Sequence, residues 1–199
     1  LTSERLAPSS FFRRSTYHVE RNNSIGYKGE YLAHYLDNYM TNEISKVRMH
    51  QGCSSNRLDQ NTEKWLNEIS PHIHFQTSSD SDNNIAKLRF NYGNIHVKTR
   101  SYKPGNVGYG ITNVLPIIVL LLNAREGSIL ILENPELHLH PKGQQALAKL
   151  ICKSAKDGVQ IFVETHSTEL VKSISEYSKE FETTHTLNYF FRNMDSFET

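Results

Sequence analysis

An acidic turn follows an unbroken apolar run in the second half of the chain. The run covers residues 129–132, and Glu133, Asn134 and Glu136 come directly after it. A run without polar alternation is typical of a strand covered on both faces, as in a parallel sheet, and Pro135 ends it. Ligands of open α/β sheets bind at the carboxyl ends of such strands. Glu133 is therefore a candidate ligand of Mg²⁺ beside a nucleotide phosphate.

Residues 159–164 (VQIFVE) predict a second buried strand, which leads into Thr165, His166 and Ser167. Because the carboxyl ends of parallel strands meet at one edge of the sheet, we expect His166 to lie near Glu133, where it could contact a phosphate. An ordinary structural histidine after a strand is the alternative interpretation.

A glycine-rich segment, residues 105–110, precedes a predicted apolar helix at residues 113–123. Glycines let the backbone approach a ligand closely, and the first amides of a helix favour an anion. A plain loop with a helix cap explains these glycines equally well. The candidate phosphate-binding residues are Gly108, Gly110, Thr112 and Asn113.

The elements that must position these residues alternate between helix and strand. After the helix at 113–123, the pattern predicts a helix at 142–155, another at 168–174 and a third strand at 185–192. This rhythm predicts an α/β fold with a mostly parallel sheet flanked by helices.

The first half of the chain has a different character. Helical spacing predicts helices at residues 29–49 and 62–69, the latter capped by Asn61 or Thr62, followed by a strand at 72–76. Strands at 87–90 and 95–99 alternate around a turn at 91–94, which predicts a hairpin. We therefore divide the chain into a mixed helical and hairpin part, residues 1–100, and an α/β lobe, residues 101–199.

Composition narrows the class of protein. The 199 residues carry 22 Lys and Arg against 21 Asp and Glu, a balance that gives no general attraction to nucleic acid. Two distant cysteines, Cys53 and Cys152, indicate a reduced cytoplasmic protein. The longest apolar run, residues 114–122, contains Pro116 and is shorter than the ~20 residues of a spanning helix, so we expect no membrane association.

The second half resembles the C-terminal half of an ABC-type ATPase head, in the branch of SMC-like and OLD-like ATPases of DNA repair and anti-phage defence. Residues 108–113 (GYGITN) resemble the signature motif, residues 129–141 (ILILENPELHLHP) the Walker B strand with the D-loop, and residues 164–167 (ETHS) the switch-histidine loop. Residues 3–8 (SERLAP) resemble a strand that such ATPases carry before the signature. The resemblance is specific over residues 101–175.

This resemblance implies catalytic roles and cofactors. Glu133 takes the magnesium-associated position, Asn134 the position of the glutamate that orients the attacking water, and His166 the contact to the γ-phosphate of ATP. An amide cannot accept a proton from water. Glu136 or His138 substitutes for the missing base, or hydrolysis is slow and ATP acts mainly as a switch.

The resemblance also implies a homodimer held together by ATP. The segment from Gly108 to Asn113, with His140 of the D-loop-like run, would close over a nucleotide held by a second copy. Gly108 stands where many relatives carry serine, which removes one hydroxyl contact. A nuclease partner or DNA would be the target of the switch.

One motif of such ATPases does not occur in these residues. The sequence contains no GxxxxGKS/T phosphate loop, and without it ATP affinity should be very weak. We therefore expect the chain to be a portion of a longer ATPase and to be inactive by itself.

Two other functions are open. A non-catalytic interaction module could use the aromatic helix at 29–49, although a core face is the simpler explanation. A metal-dependent hydrolase or nuclease ranks lower, because no third ligand at a recognisable spacing completes a site. Its ligand candidates are His72, His74, Glu136, His138, His140 and His166.

The helix at 142–155 carries three lysines, Lys142, Lys149 and Lys153, on partly shared faces. A solvated helix face is the simpler interpretation, and contact with DNA is the alternative.

Overall fold

The structure, a computed structural model, describes residues 1–93 and 100–188. Its first half holds five elements: β1 (Phe11–Arg13), α1 (Leu32–Tyr39), α2 (Leu58–Ile69), β2 (Ile73–Asp80) and β3 (Ile85–Tyr92). Its second half holds five more: α3 (Tyr109–Asn123), β4 (Ile129–Glu133), α4 (Pro141–Lys156), β5 (Gln160–Glu164) and α5 (Thr168–Glu180). Short helical turns lie at Tyr17–Arg21, Lys46–Arg48 and Pro104–Asn106.

The first half forms a three-stranded antiparallel sheet with strand order β1-β3-β2. β2 and β3 form a long hairpin whose register runs from Ile73 opposite Tyr92 to Asp80 opposite Ile85. On its other side β3 pairs with β1, and Phe90 forms an antiparallel bridge with Tyr102. The expected hairpin around residues 91–94 stays a prediction. The expected partner strand at 95–99 lies outside the described residues.

The second half contains the parallel pair β4 and β5, with Glu133 opposite Glu164 at its carboxyl end. Leu1 lies along the other edge of β4: its nitrogen donates to Ile131 O at 2.6 Å and its carbonyl accepts from Glu133 N at 3.1 Å. This alternation of donor and acceptor is the parallel pattern. The predicted α/β fold is confirmed, and the helices pack beside the parallel pair.

One face of the parallel pair is open, which corrects the expectation of strands covered on both faces. Leu132 is buried in the core, but Ile129 and Ile131 are 60% and 59% exposed, and Phe162 is 53% exposed. Paired residues of parallel strands point to the same side, so these three side chains share one face. The local sequence pattern does not determine which elements pack against a sheet. In the described chain, other elements cover only one face of the parallel pair.

The central helix α3 is apolar on all sides, which is typical of a buried helix. It begins at Tyr109, four residues before the predicted start, and contains Pro116. Buried Arg48 donates hydrogen bonds to the carbonyl groups at the carboxyl end of α3. Its guanidinium donates to Leu121 O at 3.1 Å, and its Nε lies 2.7 Å from Asp157 Oδ2. Arg48 thereby joins the carboxyl ends of α3 and α4.

A single hydrophobic core runs through both halves of the chain, with Trp65 and Leu66 from the first half and Leu115, Ile118 and Leu147 from the second. The division at residue 100 stays a prediction.

Three expected boundaries need correction. The helix expected at 29–49 is the shorter α1 plus the turn at Lys46–Arg48. α2 begins earlier than expected, so Asn61 and Thr62 lie buried inside it rather than capping it. Of the strand expected at 185–192, residues 185–188 are irregular and the rest lie outside the described residues.

Candidate functional site

The turn after β4 and the loop after β5 are joined at the carboxyl edge of the parallel pair. Asn134 N donates to Glu164 O at 2.8 Å, which extends the ladder by one bond. Glu136 Oε1 accepts a hydrogen bond from His166 N at 3.2 Å. These contacts bring the acidic turn and the histidine loop together, as the sequence predicted.

The acidic turn has an unusual backbone. Asn134 and His138 adopt φ of 41° and 63°, in the left-handed region that side chains other than glycine rarely occupy. Asparagine tolerates this region better than most residues. Such strain is retained where surrounding contacts hold it.

Arg5 supplies those contacts from the opening segment. Its guanidinium donates to Glu133 O at 3.0 Å and to Asn134 O at 2.9 Å. Burial lowers the pKa of Arg5, and the Glu136 and Glu133 carboxylates oppose that shift. One further bond runs from Ser3 N to Glu133 Oε2 at 2.9 Å. Sequence reasoning missed Arg5, because nothing in the local pattern links it to a turn 128 residues away.

Glu136 is a buried carboxylate, 9% exposed. Among the described residues, its second oxygen, Oε2, and Arg5 Nε have no hydrogen-bond partner. Buried polar atoms normally have partners. The two orphan atoms therefore mark a place where water or another polar group completes the site.

The glycine segment lies against the same turn. Gly108 is exposed and precedes the first residue of α3, and a Cβ built on it meets no atom within 4 Å in the described chain. A Cβ on Gly110 would lie 2.5 Å from His138 O. The Tyr109 and His138 rings lie beside each other, with their centroids 5.5 Å apart and their planes inclined at 59°. Gly110 thus allows α3 to approach the acidic turn, whereas Gly108 faces outward.

The other candidate residues occupy the ends of helices. Thr112 Oγ1 donates to Tyr109 O at 3.0 Å, within the first turn of α3, and Asn113 is half-buried. His140 is exposed and precedes α4, and its carbonyl accepts from Gly143 N at 2.8 Å.

Gln144 is a second residue that sequence reasoning missed. Its Nε2 donates to Leu139 O at 3.0 Å, and its Oε1 accepts from Ser167 Oγ at 2.5 Å. Ser167 Oγ in turn accepts from Leu170 N at 3.1 Å, which caps α5. Gln144 therefore ties the acidic turn to the histidine loop. A glutamine on an amphipathic helix gives no signal of such a role.

The histidines of the metal-site alternative are dispersed. His74 lies 3.2 Å from Glu63 in the first half, whereas His138 and His140 belong to the acidic turn. Across residues 1–93 and 100–188, no group of three or more His, Cys, Asp or Glu side chains could hold a metal ion. None of the helices in these same ranges is long and apolar enough to cross a membrane.

The residues at the carboxyl edge of the parallel pair supply some of the groups that would bind a magnesium-bound phosphate. Glu133 is half-buried and offers the carboxylate oxygen that Mg²⁺ prefers, although one of its oxygens already accepts from Ser3. The outward face of Gly108, at the start of the 15-residue helix α3, leaves room for an anion beside the first amides.

The sequence of the chain matches a family model and one curated relative. A family model described as "AAA ATPase domain" matches residues 13–171. The uncharacterized protein MJECL11 of Methanocaldococcus jannaschii is 32% identical over 73 residues, which cover 36% of this chain and 63% of the relative. The chain thus spans less than two thirds of that relative.

Solved structures of SMC head domains are also similar. The Pyrococcus furiosus Smc head domain bound to the C-terminal domain of ScpA aligns with a TM-score of 0.43 and 12% identity, covering 58% of this chain and 29% of that one. A structure described in terms of ATP-driven dimerization and DNA-stimulated activation of SMC ATPases aligns with the same TM-score and identity, covering 71% of that chain.

The family model covers most of the chain, including the acidic turn, the glycine segment and the histidine loop. The chain belongs to the AAA ATPase domain family.

Proposed function

We propose that the edge formed by Glu133, Asn134, Glu136 and His166 is the acidic half of an ATP-hydrolysing site. The observation that carries the proposal is the pair of hydrogen bonds, Asn134 N to Glu164 O and His166 N to Glu136 Oε1, that hold the two loops at one edge. Family membership supports the choice of ATP as the substrate.

Each side chain has a role that its position supports. Glu133 would hold Mg²⁺ or its waters, because it is half-buried at the end of β4. His166 is exposed and would donate to the γ-phosphate. Asn134 can orient a water but cannot take its proton, so hydrolysis is expected to be slow. When bound, Mg²⁺ would neutralise charge on the phosphates.

The outward-facing start of α3 suggests how a second copy takes part. Gly108 and the main-chain amides that follow it would contact a nucleotide held by the partner. Asn113 and His140 of the same copy would contact that nucleotide as well. ATP would then act as the link between two heads. The GxxxxGKS/T loop is not found within the 199 residues, so these residues supply only part of each site.

The resemblance to SMC-like and OLD-like ATPases supports a DNA-directed or anti-phage role for the dimer. A nuclease or DNA would be the partner that senses the nucleotide state. Stimulation of ATP hydrolysis by added DNA would support this role. Rates that are unchanged by DNA would count against direct DNA sensing.

The substitution Glu133→Gln tests the site. It removes the charge that would hold Mg²⁺, so we expect magnesium-dependent ATP hydrolysis to fall on the order of a hundredfold. The matched control is Glu126→Gln, an exposed acid before the opposite end of β4, which should leave the rate unchanged. Both variants are made in the longer protein that supplies the phosphate loop, because we expect these 199 residues to be inactive by themselves. Absence of ATP binding by that protein, or equal rates for both variants, would refute the proposal.

The substitution Gly108→Asp tests the shared site. A carboxylate at this position would repel the phosphates, so we expect loss of the ATP-dependent dimer in sedimentation velocity. Gly105→Asp is the control, because Gly105 is exposed and its added Cβ meets only Pro8 O, at 4.0 Å. A dimer that forms equally well with both variants would exclude Gly108 from the interface.

A further inference from the structure

A second concave site lies away from the acidic edge. It is a pocket of about 200 Å³ between α2, α4 and α5. The buried Trp65 forms part of its wall, and Tyr177 of α5 lies at its rim. In the described chain, none of the residues assigned to the ATP site lines this pocket. Its polar lining is His50, Gln51, Glu68, Lys142, Gln145, Lys149 and Lys153.

Three lysines of one helix converge on this pocket. Lys142, Lys149 and Lys153 are separated by seven and four residues, a spacing that places them on one face of α4. No carboxylate in the described part of the chain lies within ion-pair distance of any of them. The ammonium group of Lys153 instead donates to Val47 O at 3.0 Å and Met49 O at 2.9 Å.

The positive charge of the pocket is poorly compensated. Burial lowers the pKa of Lys153, the charge of Lys149 lowers it further, and Glu180 opposes both effects. Glu68 is the acidic group in the lining, and its carboxylate lies 2.9 Å from His50 Nε2, which engages it. Neighbouring ammonium groups without a counterion gain electrostatic energy when an anion enters.

The shape and chemistry of the lining define the ligand. Ammonium groups bind phosphate as compact point charges. The side-chain amide of Gln145 donates one N–H to Glu169 Oε1 at 2.7 Å and has a second N–H to offer. The pocket could hold several waters but is smaller than the ~300 Å³ lower bound of pockets for drug-sized molecules. The Lys149 ammonium lies 5.8 Å from the centre of the Tyr177 ring, so it is held at the rim.

We propose that this pocket binds a small anion that carries phosphate groups, with Lys142 and Lys149 as its principal contacts. Inorganic phosphate, pyrophosphate or a small phosphate monoester such as ribose 5-phosphate satisfies this chemistry. The site is independent of the proposed ATP site, because it rests on different residues. A ligand there would contact α4 close to Gln144, which joins the two loops of the acidic edge.

Calorimetric titration with pyrophosphate at constant ionic strength tests the proposal. We expect binding at millimolar or lower concentration, and a loss of about tenfold in affinity for Lys149→Met and for Lys142→Met. Lys156→Met is the matched control, because Lys156 is an exposed lysine of the same helix outside the pocket. It should bind like the wild type. Parallel titrations with inorganic phosphate and ribose 5-phosphate identify which phosphate source binds best.

One further variant and one folding measurement serve as controls for the titrations. Gly108→Asp should retain pyrophosphate binding, because it alters only the proposed ATP site. Thermal unfolding followed by circular dichroism should show that the lysine variants fold. Absent binding of all three probes, equal affinities for Lys149→Met and Lys156→Met, or binding of a single-stranded oligonucleotide without binding of the small anions would each overturn the proposal.

Discussion

The main-chain amide of His166 donates a hydrogen bond to Oε1 of Glu136 across 3.2 Å. The bond joins a buried carboxylate to the backbone of the histidine loop, so it sets where the exposed imidazole stands. Arg5 adds to this arrangement, because it holds the carbonyl groups of Glu133 and Asn134. Glu136 is therefore placed to position His166 through Oε1, while its buried Oε2 has no partner among the described residues.

Substitutions of Glu136 should separate its hydrogen bond from its charge. Glu136→Ala leaves the His166 amide without its acceptor and Arg5 without a neighbouring charge, so we expect a loss of about 1–3 kcal/mol in the free energy of unfolding. Glu136→Gln keeps an acceptor oxygen and should cost less. Urea denaturation measures both. Equal costs for the two variants would show that the acceptor is unimportant.

Gly108 and Gly110 should respond oppositely to the same change. In Gly110→Ala the new Cβ would lie 2.5 Å from His138 O, and the backbone must shift, at a cost of about 1–3 kcal/mol of stability. In Gly108→Ala the new methyl meets no atom within 4 Å of the described chain, so the cost should stay below about 1 kcal/mol. Thermal and urea unfolding of the two variants makes the comparison. A Gly110→Ala protein as stable as Gly108→Ala would refute the close packing of α3 on the turn.

The elements around the site were the most predictable part of the fold. The strands at 129–132 and 159–164 each differ from the structure by one residue at one end, and the helix at 142–155 by one residue at each end. Pro135, Pro141 and Gly158 mark these boundaries. Because the two strands run parallel, the candidate residues that follow them were expected at one edge of the sheet. The shared edge of the acidic turn and the histidine loop was thus available from sequence, whereas the proximity of Glu133 to His166 stays a prediction.

The parts of the fold and of the site that were not predicted depend on contacts between segments that are far apart in the sequence. β-propensity does not select a partner strand, so the pairing of β3 with β2 was not predicted. The polar residues 78–80 extend β2 only because β3 pairs with them. The contacts of Arg5 and Gln144 with the acidic turn depend on tertiary structure, and so does the exposure of Ile131. No local pattern encodes them.

Arg48 should be one of the most sensitive positions in the core. It is 2% exposed, donates to the carbonyl groups that end α3, and pairs with Asp157. Arg48→Met removes these bonds and leaves the carbonyl groups unpaired, so we expect a loss of about 3–5 kcal/mol in unfolding free energy. Urea denaturation tests this, with exposed Arg125→Met as the control. A loss under about 1 kcal/mol would contradict the capping role.

His34 links the stability of the fold to pH. The residue is 1% exposed. Its Nδ1 accepts a hydrogen bond from Ser15 N at 3.1 Å, which requires this nitrogen to be unprotonated. Burial lowers the pKa of His34, the charge of Arg14 lowers it further, and Glu20 and Asp37 oppose the shift. The folded state therefore resists protonation more than the unfolded chain does.

The sign of the pH dependence follows from this lowered pKa. The contribution of His34 is complete above the unfolded pKa of about 6.5 and is lost as pH falls toward the lower folded pKa, by up to about 1.4 kcal/mol per pH unit. His34→Asn keeps an acceptor oxygen near the position of Nδ1 but cannot titrate, so its stability should fall less steeply below pH 6.5. Urea denaturation across this range compares the slopes, with exposed His72→Asn as the control. Parallel slopes for the wild type and His34→Asn would show that His34 does not couple protonation to folding.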